Sequence, residues 1–173
     1  MRPLTCLVWL GWLLLYWGGG KSILEDIRHA ARLSNWSDFA LLLTMTLTSL
    51  GLLLGGAVAA LGKTSLPPEG VLTPFGLLLT LLGVAGTVYS RRVLGAMWTA
   101  ENALQEEHHI VDSGPYGLVR HPIYTAAILL YLGLALAFPL WWMVALALLM
   151  DLSYIVKTRL EDDFLAEGCK QIL

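Results

Sequence analysis

The chain has 173 residues, 57% of them hydrophobic and only 14% charged, with a formal net charge of −2. A soluble domain ordinarily carries about 25% charged residues, so this chain cannot cover itself with a polar surface. No nucleic acid is expected as a partner.

The first uncharged run is Leu4 to Gly20, at the short end of the roughly 20 apolar residues a bilayer span needs. Arg2 followed by such a run also suits a cleaved signal peptide. Trp9, Trp12, Tyr16 and Trp17, with three glycines at the end in place of a small-x-small cleavage site, favour a retained interfacial anchor. Residues 21–37, KSILEDIRHAARLSNWS, put Ile23, Ile27, Ala30 and Leu33 on one helical face and predict an amphipathic helix lying in the interface.

Phe39 to Gly62 and Val71 to Ser90 carry no charge and predict two full spans. Within the first of these, Gly51 and Gly55 make a small-xxx-small step suited to helix packing. Ile123 to Val156 would be about 51 Å long as one helix at 1.5 Å per residue, against a hydrocarbon core of about 30 Å. Pro139, in its middle, removes a backbone donor and predicts a reversal of direction. Asp151, in the second arm, is expected to face the bundle or the interface, because an acid facing lipid is costly. Cys6 and Cys169 do not make a disulfide framework.

The fold class expected is therefore all-α: a polytopic membrane helical bundle of about five transmembrane helices, with a C-terminal helical hairpin and an amphipathic interfacial helix. It forms one domain over residues 1–173, with N-terminal spans at 4–20, 39–62 and 71–90 and a chemistry-bearing region at 91–173. With five spans, Lys21, Arg28, Arg32, Arg91, Arg92, Arg120, Lys157, Arg159 and Lys170 share one side, and only Arg2 and Lys63 lie on the other. The positive-inside rule makes the first side cytoplasmic and the N-terminus external, with the cell (inner) membrane as the expected location.

Two polar stretches then share the cytoplasmic face, EEHHIVDSGPYGLVRHPIY (106–124) and KTRLEDDFL (157–165). GPYG is turn chemistry, with glycines available for positive φ. Pro122 suits the first turn of a helix. Lys157 and Glu161 stand one helical turn apart on one face. Arg120 and Lys157 also read as snorkelling anchors. His108 and His109 lack the H-E-x-x-H spacing of a metal site, and no metal is expected. From the residues alone, this is a polar pocket at the membrane boundary.

LVRHPIYTA, preceded by HHIVDSGPYG and followed one hairpin later by KTRLEDDFL, resembles the isoprenylcysteine carboxyl methyltransferase family of integral membrane methyltransferases. The likeness covers roughly residues 83 to 165. It implies S-adenosylmethionine as cofactor, enclosed by the loop before the hairpin and the helix after it. It further implies cofactor contacts from Glu101, His108, His109, Ile110, Val111, Tyr116, His121, Pro122, Ile123, Tyr124 and Glu161. Asp162 completes the acidic pair of the exit motif. Lys157, with Arg159 as a substitute, stands where the family's substrate-contacting arginine falls; lysine keeps the charge but loses the bidentate fork. Ala126 stands where glycine is common, and AEGCKQIL departs from the usual FG-x-x-Y ending.

The expected acceptor is lipid-like or otherwise lipophilic, reached through the bilayer, with an isoprenylcysteine-like carboxylate first and a phospholipid amine or small thiol as alternatives in the same fold. A membrane NADPH-dependent sterol or steroid reductase shares the R-H-x-x-Y layout. It typically has tryptophan where this chain has Pro115 and Tyr116, and asparagine at Ile123. Oligomeric state is open.

Overall fold

A computed structural model describes residues 2–17, 36–61, 70–95 and 112–172. Among them there are five α-helices and no strand: α1 (Arg2–Trp17), α2 (Trp36–Ala60), α3 (Leu72–Leu94), α4 (Pro122–Ala137) and α5 (Trp141–Ile172), with a short 3-10 turn at Gly114–Gly117. The expected interfacial helix at 21–37 lies almost wholly outside the described residues.

Consecutive helices run in opposite directions, as four contacts show. Arg2 Nε donates to Ala137 O at 3.1 Å, joining the start of α1 to the end of α4. Farther along α1, Trp12 Nε1 donates to Thr87 Oγ1 at 2.7 Å. Ser49 and Tyr131 bring their hydroxyls to 3.4 Å midway between α2 and α4. The ring of Trp142, at the start of α5, fills the space where a side chain at Gly55 would stand, and Leu146 abuts Gly51 one turn on. The Gly51–Gly55 step is thus a packing surface, as expected.

The reversal at Pro139 is also as expected. Helix α4 ends at Ala137, Phe138 bonds back to Leu134 O at 2.9 Å, and α5 starts at Trp141. Proline has no N–H to continue the ladder. At 32 residues α5 is about 48 Å long. It is longer than the hydrocarbon core is thick.

The sequence reading did not single out the tightest seam, between α3 and α4. The buried residues of α3 are Thr73, Gly76, Thr80, Gly83, Thr87 and Ser90, small side chains in alternating steps of three and four. A Cβ on Gly76 would sit 2.6 Å from Gly133 O, and one on Gly133 would sit 2.6 Å from Gly76 O, so the two backbones touch. Small residues permit such approach where lipid offers no hydrophobic drive for association. The Thr80 hydroxyl is satisfied within its own helix, donating to Gly76 O at 2.9 Å.

Beside an apolar core, polar side chains are buried and many leucines are not. Thr5, Thr48, Thr80, Thr87, Ser90, Asp151 and Ser153 lie inside, while Leu7, Leu47, Leu54, Phe75, Leu82, Leu148 and Leu152 face outward. Phe39–Ala59 and Leu72–Leu94 are long and apolar enough to cross a bilayer, and only 22% and 28% of their apolar windows is buried inside the structure. Core helices of a soluble domain would be covered by protein; these present leucine to their surroundings.

Candidate functional site

At the end of the bundle opposite Pro139, the two arms of the hairpin are tied together by polar side chains. His121 precedes α4, and Pro122 occupies its first position, where a missing N–H costs nothing. Tyr124 follows in the first turn. On α5, Tyr154, Lys157 and Glu161 are spaced three and four apart, so one helical face carries all three toward α4.

Glu161 is the centre. Its Oε1 accepts from the Tyr124 hydroxyl at 2.5 Å and from Lys157 Nζ at 3.1 Å. Its Oε2 lies 3.5 Å from His121 Nδ1, and His121 Nε2 lies 3.0 Å from Asp162 Oδ1. Asp162 was expected as the second acid of the motif; the structure gives it the histidine. Burial pushes the Glu161 carboxyl up, but His121, the Lys157 ammonium and the Tyr124 hydroxyl outweigh it and hold the group below its ordinary range. His121 is raised above its ordinary value chiefly by its hydrogen bond to Glu161, against a smaller opposing effect of burial, with Asp162 adding to the rise. An imidazolium donates from both nitrogens, which suits a ring set between two carboxylates.

The aromatic rings continue inward. His121 stacks on Tyr124 with centroids 5.7 Å apart, Tyr124 meets Tyr154 at 5.5 Å, Tyr154 meets Tyr131 at 6.0 Å, and Tyr131 meets Trp12 edge-on at 6.3 Å. Sequence reasoning missed this ladder. Its signal was present, since Tyr124 and Tyr131 are seven apart on α4, and Tyr154 is seven before Glu161 on α5.

Of the residues expected at the site, His121, Tyr124, Lys157 and Glu161 come together. Pro122 and Ile123 are buried, Ile123 in the apolar core. Arg159 is exposed and takes no part in the cluster. Tyr116 lies in the 3-10 turn, which packs on the last turns of α3, where Tyr89 and Val93 flank Gly114. GPYG was read as a turn whose glycines permit positive φ, and Gly114 adopts it, at 57°. Glu101, His108, His109, Ile110 and Val111 lie outside the described residues. Among those described, no group of three histidine, cysteine or acidic side chains is placed to hold a metal ion.

Comparisons with known proteins bear on this end of the chain. The cobalt-zinc-cadmium resistance protein CzcN of Cupriavidus metallidurans is 39% identical over 93 residues, covering 53% of this chain and 42% of that protein. This chain thus matches less than half the length of that relative. No solved structure gives a significant match. The profile of the phospholipid methyltransferase family matches residues 72–171, which run from α3 through both arms of the hairpin and take in the whole Glu161 cluster. That span is more than half of the chain, and the chain belongs to the phospholipid methyltransferase family, a family of membrane methyltransferases.

Proposed function

We propose that the protein transfers a methyl group from S-adenosylmethionine to a lipophilic acceptor, with the carboxylate of an isoprenylcysteine-like molecule as the first candidate. The observation that carries this reading is the convergence of His121 and Tyr124 from one arm, and Lys157 and Glu161 from the other, at one end of an apolar bundle.

The donor set fits the cofactor. The Glu161 side chain is 21% exposed, so it is reachable from the mouth. A carboxylate there would accept hydrogen bonds from an amino or hydroxyl group. The stacked faces of His121 and Tyr124 suit a flat ring, and an aromatic face also attracts a sulfonium. Glu101, His108, His109, Ile110, Val111 and Tyr116 belong to the same proposed site, with Pro122 and Ile123 setting the course of the chain beneath it. When bound, the cofactor supplies an electrophilic methyl on a sulfonium whose departure as a neutral thioether needs little acid–base help. The protein's part is then to hold the acceptor in line with that methyl. Lys157, or Arg159 from the neighbouring face, orients an anionic acceptor head.

The outward leucines leave the acceptor a lateral path through the bilayer. The nine-to-two distribution of basic residues supports five spans, a cytoplasmic site and C-terminus and an external N-terminus, with the whole chain acting as one domain in the cell's inner membrane.

Calorimetry in detergent tests the cofactor. S-Adenosylhomocysteine is expected to bind the wild-type protein, with Glu161→Ala and Tyr124→Ala each weakening it at least tenfold. Unchanged binding in both variants, or binding of NADPH instead, overturns the reading. Methyl transfer from labelled cofactor to prenylated carboxylate, amine and thiol acceptors then assigns the acceptor.

A further inference from the structure

Midway along the bundle is a second gathering of polar side chains that the Glu161 cluster does not use. Asp151 is 7% exposed, and neither carboxylate oxygen has a hydrogen-bond partner among the described residues. It lies ten residues into α5, about 15 Å from Trp141 and about 15 Å from Glu161 along the axis. That is near the middle of a hydrocarbon core about 30 Å thick. The nearest lysine on its own helix, Lys157, is paired with Glu161 instead.

Three other helices supply the rest. Tyr131 of α4 is 1% exposed, and its ring lies 6.0 Å from that of Tyr154, which stands one helical turn beyond Asp151 on the same side of α5. The Tyr131 hydroxyl meets Ser49 Oγ of α2 at 3.4 Å. From α1, the Trp12 ring meets Tyr131 edge-on at 6.3 Å, and Trp9, 1% exposed in the same core, has an indole N–H with no hydrogen-bond partner among the described residues. Helices α1, α2 and α5 therefore all meet Tyr131, one helical turn from an acid that has no counter-ion among the described residues.

We propose that Asp151, with Tyr131 and Ser49, forms an intramembrane subsite that takes the protonated amine of an amphiphile. A buried carboxylate requires a proton or a cation, and an ionisable residue at this depth usually marks a ligand or ion site. An ammonium supplies both charge and donors: it gives one N–H to the Asp151 carboxylate, another to a neighbouring hydroxyl, and leaves its alkyl chain in the surrounding lipid, which the adjacent Leu152 faces. The ring ladder from Tyr131 through Tyr154 to Tyr124 connects this subsite with the Glu161 end.

The subsite does not depend on the cofactor, so it is tested without one. In lipid nanodiscs, dodecylammonium is expected to bind the wild-type protein at least tenfold more tightly than dodecanol, which has the same chain and no charge. Glu161→Gln should keep that preference, and Asp151→Asn should abolish it. Infrared spectra should show the buried carboxylic acid band of Asp151 diminishing as the amine binds. Equal binding of amine and alcohol to the unaltered protein overturns the proposal, with no variant required. So does an amine preference that survives in Asp151→Asn, which would place the amine elsewhere. Failure of S-adenosylhomocysteine to bind in the separate calorimetry would overturn the cofactor reading and leave this result intact.

Discussion

The Tyr124 hydroxyl lies 2.5 Å from Glu161 Oε1, closing a 37-residue loop of chain that turns at Pro139 and returns to the same end of the bundle. One hydrogen bond thus ties the first turn of α4 to a turn of α5 beyond the membrane-length part of that helix. A hydrogen bond to a charged partner is worth about 1.5–3 kcal/mol. Partial exposure of Glu161 favours the low end. Tyr124→Phe is expected to lower stability by about 1–2 kcal/mol, read by thermal unfolding in detergent, and to raise the carboxyl pKa of Glu161 because a donor to its charged form is gone.

His121 and Glu161 give the site a pH window. The folded-state value of His121 lies above its ordinary 6.5, so its contribution is present in full below about 6.5 and is lost as pH rises through the raised value. Glu161 lies below its ordinary 4.5, so its contribution is present above about 4.5 and is lost as pH falls through the lowered value. The contribution of this pair, read as the stability difference between wild type and His121→Asn, should therefore be fullest between about 4.5 and 6.5 and decline on the alkaline side. A difference that shows no such decline would remove the histidine from the account.

Backbone contact between α3 and α4 leaves no room for a side chain at Gly133. A Cβ there would stand 2.5 Å from Thr80 Oγ1 and 2.6 Å from Gly76 O. Overpacking of this kind typically costs about 1–3 kcal/mol. Gly133→Ala should destabilise within that range, and Gly133→Leu should abolish the folded state. Gly70→Ala, at a position with open space around it, is the control and should be near neutral.

Side-chain accessibility tests the arrangement of the chain across the bilayer. Leu118, 87% exposed beside the 3-10 turn, and Trp141, 82% exposed at the start of α5, lie at opposite ends of the bundle. After replacement of Cys6 and Cys169 by serine, Leu118→Cys and Asp163→Cys should react with an impermeant thiol reagent from one face of a sealed vesicle, and Trp141→Cys only from the other. Labelling of positions 118 and 163 from opposite faces would contradict the hairpin.

The amino-acid sequence by itself determined where the long apolar helices of the described residues lie. Charge-free runs are legible because each residue of a span meets the same apolar solvent, and Pro139 is legible because a missing donor acts locally. The Lys157–Glu161 pair was equally readable, since one helical turn fixes the distance between its members. What one stretch of chain does to another was not readable. Glycine at 76 and glycine at 133 look permissive until their backbones are seen to touch. Tyr154 belongs to no motif, yet it joins the rings of Tyr124 and Tyr131. Asp151 was expected to turn inward, but only the packing of the helices shows that it lies one turn from Tyr154, which meets Tyr131, and finds no counter-ion among the described residues. Local rules depend on the covalent neighbourhood, whereas the partner of a buried charge depends on which distant helix arrives opposite it, and the tertiary structure alone decides that.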